Sequence, residues 1–286
     1  MSNSALRIDP IITPWFIFVH LGALIGPFFY TTPGAIATCL ALYVLTGLFG
    51  ITLGYHRLLT HRTFKAPRWV ERTLGTLGML AMQRGPLDWV AHHRMHHAGV
   101  DTDKDPHNAR RGFFWSHIGW LIYFQPQIHD PVVLRKFARD IVADPYLYAL
   151  TPLWTQVVAQ GALAVVLGLI GGPAYVVWGT FVRLVVVYHI TWFVNSATHL
   201  WGYRTYETDD LSTNCWWVSI LSFGEGWHNN HHAHPDAAPA WRKPWELDST
   251  WLVIRAMAWL GLAWDIKMPP AAPPAAILTL RDRPTQ

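Results

Sequence analysis

Two long stretches of this chain are apolar at every turn, and the polar residues gather in the segments that follow them. From Pro10 to His56 there is no Asp, Glu, Lys or Arg, and from Pro145 to Tyr203 the single charged residue is Arg183. A helix needs about 20 apolar residues to cross the hydrocarbon core of a bilayer, so each tract predicts two spans joined by a tight turn. Thr31-Thr32-Pro33-Gly34 and Gly171-Gly172-Pro173 supply the turn residues. The spans are expected near 12–30, 35–55, 152–170 and 174–195. The pattern therefore predicts an all-α membrane protein of one domain over residues 1–286. Its transmembrane hairpins lie at about 12–55 and 152–195, a helical cap is built from 56–150 and 196–267, and a flexible tail covers 268–286.

Composition agrees with the pattern: 51% of residues are hydrophobic and 14% charged, against roughly 25% charged in soluble domains. The first apolar stretch is long, lacks a small-residue cleavage site and runs straight into a second span, which argues against a cleaved signal peptide. Charge sets the expected orientation. Of 22 Lys and Arg, 13 lie between Arg57 and Arg139 and 7 between Arg204 and Arg283, while neither hairpin turn carries any. The positive-inside rule puts the cap and both termini in the cytoplasm. The pI of about 9.1 matches that loop bias and an anionic leaflet and gives no reason to invoke nucleic acid. Cys39 and Cys215 are the two cysteines and form no C-x-x-C pair, so neither a disulfide framework nor a thiolate redox pair is expected.

Histidine then changes the picture. Of 16 histidines, His20 and His189 fall well inside spans; most of the others cluster in HRLLTH (56–61), HRMHH (93–97), NSATH (195–199) and HNNHH (228–232). On a helix, residues three and four apart share a face, so His93, His96 and His97 can aim at one point, as can His228, His231 and His232; Asn195 and His199 form a further such pair. His56 and His61 are different, because five residues at about 100° each leave them about 140° apart. The helix must end or distort between them if both serve one site. The nine clustered histidines exceed the four ligands of one tetrahedral zinc and suit two adjacent ions, with zinc, copper, iron and nickel all open to imidazole. Two other patterns fail their templates. Asp101–Asp105 starts like a calcium loop but has Pro106 and Gly112 where Gly and Glu are needed. Glu225-x-x-His228 stands alone among four scattered glutamates, which favours Glu225 as a group that orients a ligand.

With those segments assembled, GITLGYHRLLTHRTFKAP, WVAHHRMHHAGVDTDKDPHNARRGFFWSHIGW, TWFVNSATHLWGYRTYETDD and FGEGWHNNHHAHP closely resemble the membrane fatty acid desaturases that introduce a double bond at carbon 9, above all the cyanobacterial and bacterial acyl-lipid branch. The resemblance runs from about Leu48 to Lys267. It implies four transmembrane helices under a cytosolic cap and a di-iron centre held by His56, His61, His93, His96, His97, His199, His228, His231 and His232, with Asn195 acting through water. His107 is expected to support that set from behind, and His92 to be exposed. The resemblance also puts Gln83, Trp89, Thr191 and Trp192 where the acyl chain bends beside the irons, and Val44 and Leu48 near the tunnel floor.

The chemistry fits such a ligand set. A mid-chain methylene has no acidic proton and no polar handle, so its oxidation calls for dioxygen activated at iron, with electrons from outside. The chain carries no haem or iron–sulfur signature, so the donor is expected to be a separate ferredoxin or cytochrome b5 type protein. Animal acyl-CoA members carry Arg-Asp and Arg-Lys pairs at positions occupied here by Ala91-His92 and Phe124-Gln125, which favours a lipid-linked acyl substrate over coenzyme A. The competing readings are an acyl-CoA desaturase, a hydroxylase or monooxygenase on the same site, and a metal transporter or haem-binding membrane protein. A transporter would put its ligands at the bilayer midplane. Arg183, costly in lipid, should face protein or water.

Overall fold

The computed structural model describes residues 7–270, so the expected tail lies, from 271 onward, outside the described residues. Among the described residues the chain is helical, with isolated bridges and no β-strand. Asp9 caps the first helix, its Oδ1 accepting from the amides of Ile11 and Ile12; this helix, α1, runs Ile12–Ile25. Thr32 accepts from Ala35 N, and Pro33, which needs no amide partner at a first helical position, opens α2, which runs Pro33–Tyr43 and continues without a break as a π-helix over Val44–Thr60. The shorter cap helices that follow are α3 (Arg68–Met79) and α4 (Pro86–Ala98). The second apolar tract forms α5 (Leu153–Val176) and α6 (Arg183–Ser196), and α7 (Trp216–Leu221), α8 (His228–Ala233) and α9 (Ser249–Trp259) complete the second polar segment.

Among the described residues two apolar helices are long enough to cross a bilayer: Pro33–Thr60, of 28 residues, and Leu153–His199, of 47. At 1.5 Å per residue the latter would reach about 70 Å if straight, twice a hydrocarbon core. It does not stay straight. Gly172 takes φ 69° and ψ −160° immediately before Pro173, a conformation open to glycine, and beyond it Gly179 lies so close to Leu167 that a Cβ would meet that side chain at 2.6 Å. The chain thus folds back at the predicted turn. Ile17, Leu21, Leu24, Val158, Val165 and Leu169 on α1 and α5 are exposed, an apolar surface far larger than a soluble domain keeps in water.

The second helix resolves the His56–His61 problem by distortion. From Val44 to Thr60 it widens into a π-helix, and the amide of His61 donates to the carbonyl of His56. With i→i+5 hydrogen bonds, residues five apart come onto the same face. The close packing of α3 depends on this stretch: a Cβ on Gly50 would sit 2.6 Å from the Gly78 amide nitrogen.

Arg183 is fully buried among protein atoms. It donates to Gly179 O (2.8 Å), Leu80 O (2.7 Å), Gln160 Oε1 (2.9 Å) and Thr46 Oγ1 (3.4 Å), joining α2, α5, α6 and the loop after α3. A line of imidazoles makes a second tie: His20 of α1 meets His189 of α6 at 3.1 Å, and His189 meets His117 of the cap at 2.9 Å.

Candidate metal centre

Four segments bring nine imidazoles together. The π stretch of α2 supplies His56 and His61, α4 supplies His93, His96 and His97, the end of α6 leads to His199, and α8 supplies His228, His231 and His232. Two groups result. His56, His61, His93 and His231 form one and His96, His199, His228 and His232 the other, each with ligand atoms within 4.8 Å of one another. The Nε2 of His97 lies 3.2 Å from that of His93 and 3.0 Å from that of His231, so it joins the first group. Helices α4 and α8 therefore serve both groups, because residues three apart on one face reach adjacent points.

Carboxylates behind the rings fix how the nitrogens are used. His96 Nδ1 is 2.9 Å from Asp105, His232 Nδ1 is 2.7 Å from Asp210, His199 Nδ1 is 3.3 Å from Asp101 and His56 Nδ1 is 2.8 Å from Glu225. The Nδ1–H of His96, His199 and His232 is thereby committed and their Nε2 lone pairs point inward, while the Glu225 carboxylate lies against the Nδ1 side of His56. His96 and His232, both backed in this way, face each other Nε2 to Nε2 at 3.3 Å; two lone pairs at that distance repel unless a cation lies against them. The buried Nε2 atoms of His199 and His228 have no protein partner. Such a donor set fits a pair of metal ions. Burial, reinforced by neighbouring imidazoles, pushes His228 and His231 well below the ordinary histidine range, which keeps the rings neutral and able to ligate. Burial would raise Asp210, yet hydrogen bonds from His232 and Ser212 outweigh it and hold the carboxyl far below its usual value.

The sequence reading did not single out Asp101, Asp105 and Asp210 as supports for the histidines. Two of them lie in the segment tested against a calcium template. The available signal was an aspartate-rich loop directly after a histidine box. His107 packs against His96 with ring centroids 4.3 Å apart and the rings tilted by 34°, and its Nδ1 is 3.5 Å from Asp105. Glu225 is itself held by buried Arg57, which also pairs with Asp248.

A family model for fatty acid desaturases matches residues 31–264. The chain belongs to the fatty acid desaturase family. It is 48% identical over 264 residues, 92% of this chain and 95% of the relative, to an sn-1 stearoyl-lipid 9-desaturase of Anabaena variabilis. It is 46% identical to a protein of the same description from Synechocystis sp., over 94% of this chain and 84% of that one. An acyl-CoA C20 Delta5-desaturase of Anemone leveillei is 43% identical over 81% of this chain and 73% of its own length. The chain is therefore an oxidoreductase of lipid metabolism with a histidine-rich centre.

Two cavities in the desaturase meet beside that centre. The larger, of about 530 Å³, is lined by Gln83, Trp89, Thr191, Trp192, His93 and Asn195 among others. It reaches the surface between α1 and α5, where Ile11, Phe18, Leu153 and Val157 are both exposed and part of its wall. Gln83 donates to Thr191 Oγ1 at 2.9 Å, and Trp89 stacks on His93. The smaller cavity, of about 50 Å³, shares Trp89, His93, Thr191 and Asn195 with the larger one and ends at Tyr43 and Gly47. Val44 and Leu48, expected at its floor, do not line it. The lining pair Tyr43 and Gly47 has the same four-residue spacing as Val44 and Leu48 but lies one residue earlier, so the cavity meets the neighbouring strip of the helix, with Thr52 and His56 further along the wall.

The neighbourhood expected to face an acyl carrier also differs. His92, expected to be exposed, is 4% exposed and lies 2.9 Å from the carbonyl of Ile128, because the Pro126–His129 turn covers α4 there. Ala91 and Gln125 are buried as well, and of the four positions Phe124 alone is exposed.

Proposed function

We infer that this desaturase forms a cis double bond at carbon 9 of a saturated acyl chain esterified in a membrane lipid, using two iron ions and dioxygen. The observation that carries the reading is the pair of four-histidine groups converging beside a mainly apolar cavity that opens on the apolar surface between α1 and α5. Carbon 9 and the lipid ester are supported by the two cyanobacterial relatives, whose names give both. His56, His61, His93, His97 and His231 would hold one ion, and His96, His199, His228 and His232 the other, with Asn195 reaching the centre through water.

Bound there, the iron pair would supply the oxidising chemistry that no side chain can direct at an unactivated methylene. Overall, two hydrogens leave adjacent carbons, and dioxygen with two electrons and two protons becomes two waters. The electrons come from a separate ferredoxin or cytochrome b5 type carrier. The chain's own residues position and shield. Asp101, Asp105, Asp210 and Glu225 hold the imidazole tautomers, Trp89 and Trp192 wall the acyl chain beside the centre, and Gln83 with Thr191 fixes the bend. The four apolar segments α1, α2, α5 and α6 cross the membrane as two hairpins, with the cap and both termini on the cytoplasmic side.

The test is expression in a host rich in stearoyl lipids, with gas chromatography of the products and metal analysis of purified protein. A new carbon-9 olefin and about two iron ions per chain are expected. A hydroxylated product, or an active preparation filled with redox-inert zinc, would overturn the reading. Tags in the 31–34 and 171–172 turns should be reachable from the non-cytoplasmic side and terminal tags should not.

A further inference from the structure

The loop between α3 and α4 is held more firmly than a connection requires. Met82 and Arg84 take φ of 53° and 72°, left-handed conformations that persist in bulky residues where the surroundings over-determine them. The restraints come from α6: Arg183 donates to Leu80 O at 2.7 Å, Tyr188 to Met82 O at 3.0 Å, and Gln83 reaches Val187 O at 3.2 Å and Thr191 at 2.9 Å. The effect is to present the Arg84 side chain to the larger cavity.

Once there, the Arg84 guanidinium is poorly partnered. Its polar side-chain neighbours among the described residues are Asp88, at 4.0 Å, and His129, at 3.5 Å, and its buried Nε has no partner. Arg57 and Arg94, by contrast, each make several bonds near 2.8 Å to carboxylates and carbonyls. A buried donor without an acceptor is costly. In a cavity wall, that vacancy suits an acceptor carried by whatever enters.

We propose that Arg84 binds the ester carbonyl oxygen of the glycerolipid and so fixes, from the carboxyl end, where the acyl chain is oxidised. This rests on the desaturase reading above. A neutral acceptor fits better than a phosphate, because the Asp88 carboxylate already faces the guanidinium and would repel a second anion. The ester is also the first oxygen-bearing group behind an acyl chain that has entered between α1 and α5. Arg84 and His93 both line this one cavity, so a chain held at Arg84 runs through it toward the centre. A chain anchored at its ester receives its double bond at one carbon whatever its length. A chain without that anchor is located by its methyl end against Tyr43 and Gly47, and the position then moves with chain length.

Wild type, Arg84→Gln and Arg84→Lys should be supplied with sixteen- and eighteen-carbon glycerolipids and the double bonds located by mass spectrometry of disulfide adducts. Wild type is expected to give carbon 9 on both chains. Arg84→Gln should give mixtures displaced by two carbons between the two chains, and Arg84→Lys, which keeps a donor, should stay mainly at carbon 9. In a second arm, metal-free protein in nanodiscs is offered ester-linked and ether-linked octadecyl glycerolipids. Wild type should prefer the ester by about tenfold, Arg84→Gln should lose that preference, and galactosyl and phosphate headgroups should bind alike. Unchanged carbon-9 products from Arg84→Gln on both chains, an ester preference that survives the substitution, or a preference that follows the headgroup phosphate would each overturn the proposal. Failure of wild type to make the carbon-9 olefin would instead count against the reading of the preceding section, and the binding arm would still decide the role of Arg84.

Discussion

The two halves of the histidine centre are built to different standards of support. In the group of His96, His199, His228 and His232, three rings are backed by aspartates, and all three rings are almost fully buried. In the group of His56, His61, His93 and His231, one ring is backed, by Glu225, whose charge is already met by Arg57; His56 and His93 form part of the cavity walls. The buried half therefore places three carboxylates behind a bound cation, and the cavity half places one shared carboxylate. The difference separates holding from working. Backing carboxylates strengthen ligands and fix their geometry, while the face beside the substrate has to leave room for an acyl chain and dioxygen.

The sharpest test removes one ligand from each half. His96→Ala and His231→Ala should both reduce olefin formation to background, and His231→Ala should still retain about one metal ion per chain, read by mass spectrometry of the purified protein. Equal loss of both ions from both variants would erase the distinction. Next in size, Asp210→Asn should weaken metal retention by about 10- to 100-fold in chelator competition. Wild type should surrender its cavity-side ion first, and two ions leaving at the same chelator concentration would break the comparison. Gly47→Leu acts on the cavity half alone. It should fill the end of the tunnel and lower conversion of eighteen-carbon relative to fourteen-carbon chains by roughly tenfold, with iron content unchanged.

The smallest effect belongs outside both groups. Asp140 accepts from Arg94 at 2.8 Å on each carboxylate oxygen, and Arg94 also binds the carbonyls of Leu59 and Thr60, so the pair ties the end of the π stretch to α4. Burial acts to raise Asp140, but Arg94 and Arg62 outweigh it and hold the carboxyl well below its ordinary value. A depressed folded-state pKa stabilises above the unfolded value and is lost as pH falls below about 4. Asp140→Asn should cost about 1–2 kcal/mol at neutral pH, given the partial exposure of the pair. It should also flatten the fall of the melting temperature below about pH 4, with both metal ions retained at neutral pH.

The apolar tracts and their turns were legible because span length and glycine–proline chemistry act locally. The histidine groups were legible because i, i+3 and i+4 spacing survives in any helix, and the i, i+5 pair announced its own distortion. What escaped depended on geometry that no local rule carries. The floor of the tunnel turned on which strip of the second helix faces the cavity, and Tyr43 and Gly47 line it in place of Val44 and Leu48, one residue earlier at the same spacing. His92 became buried because a turn more than thirty residues away folds over it. Asp210 meets His232 across a loop, and nothing in the spacing of the two marks them as a pair.

One feature of the centre governs the order in which it can be made. Helix α8 contributes His231 to one group and His228 and His232 to the other, so neither group is complete until synthesis has passed residue 232. By then both apolar hairpins have already emerged. A nascent chain released short of α8 would carry its apolar segments and six imidazoles from three separate regions, but no finished metal site of either kind. Metal capture is thus tied to contacts of long sequence separation, which form late. The ions can act as a seal on a chain already threaded and packed, with no part in guiding its insertion.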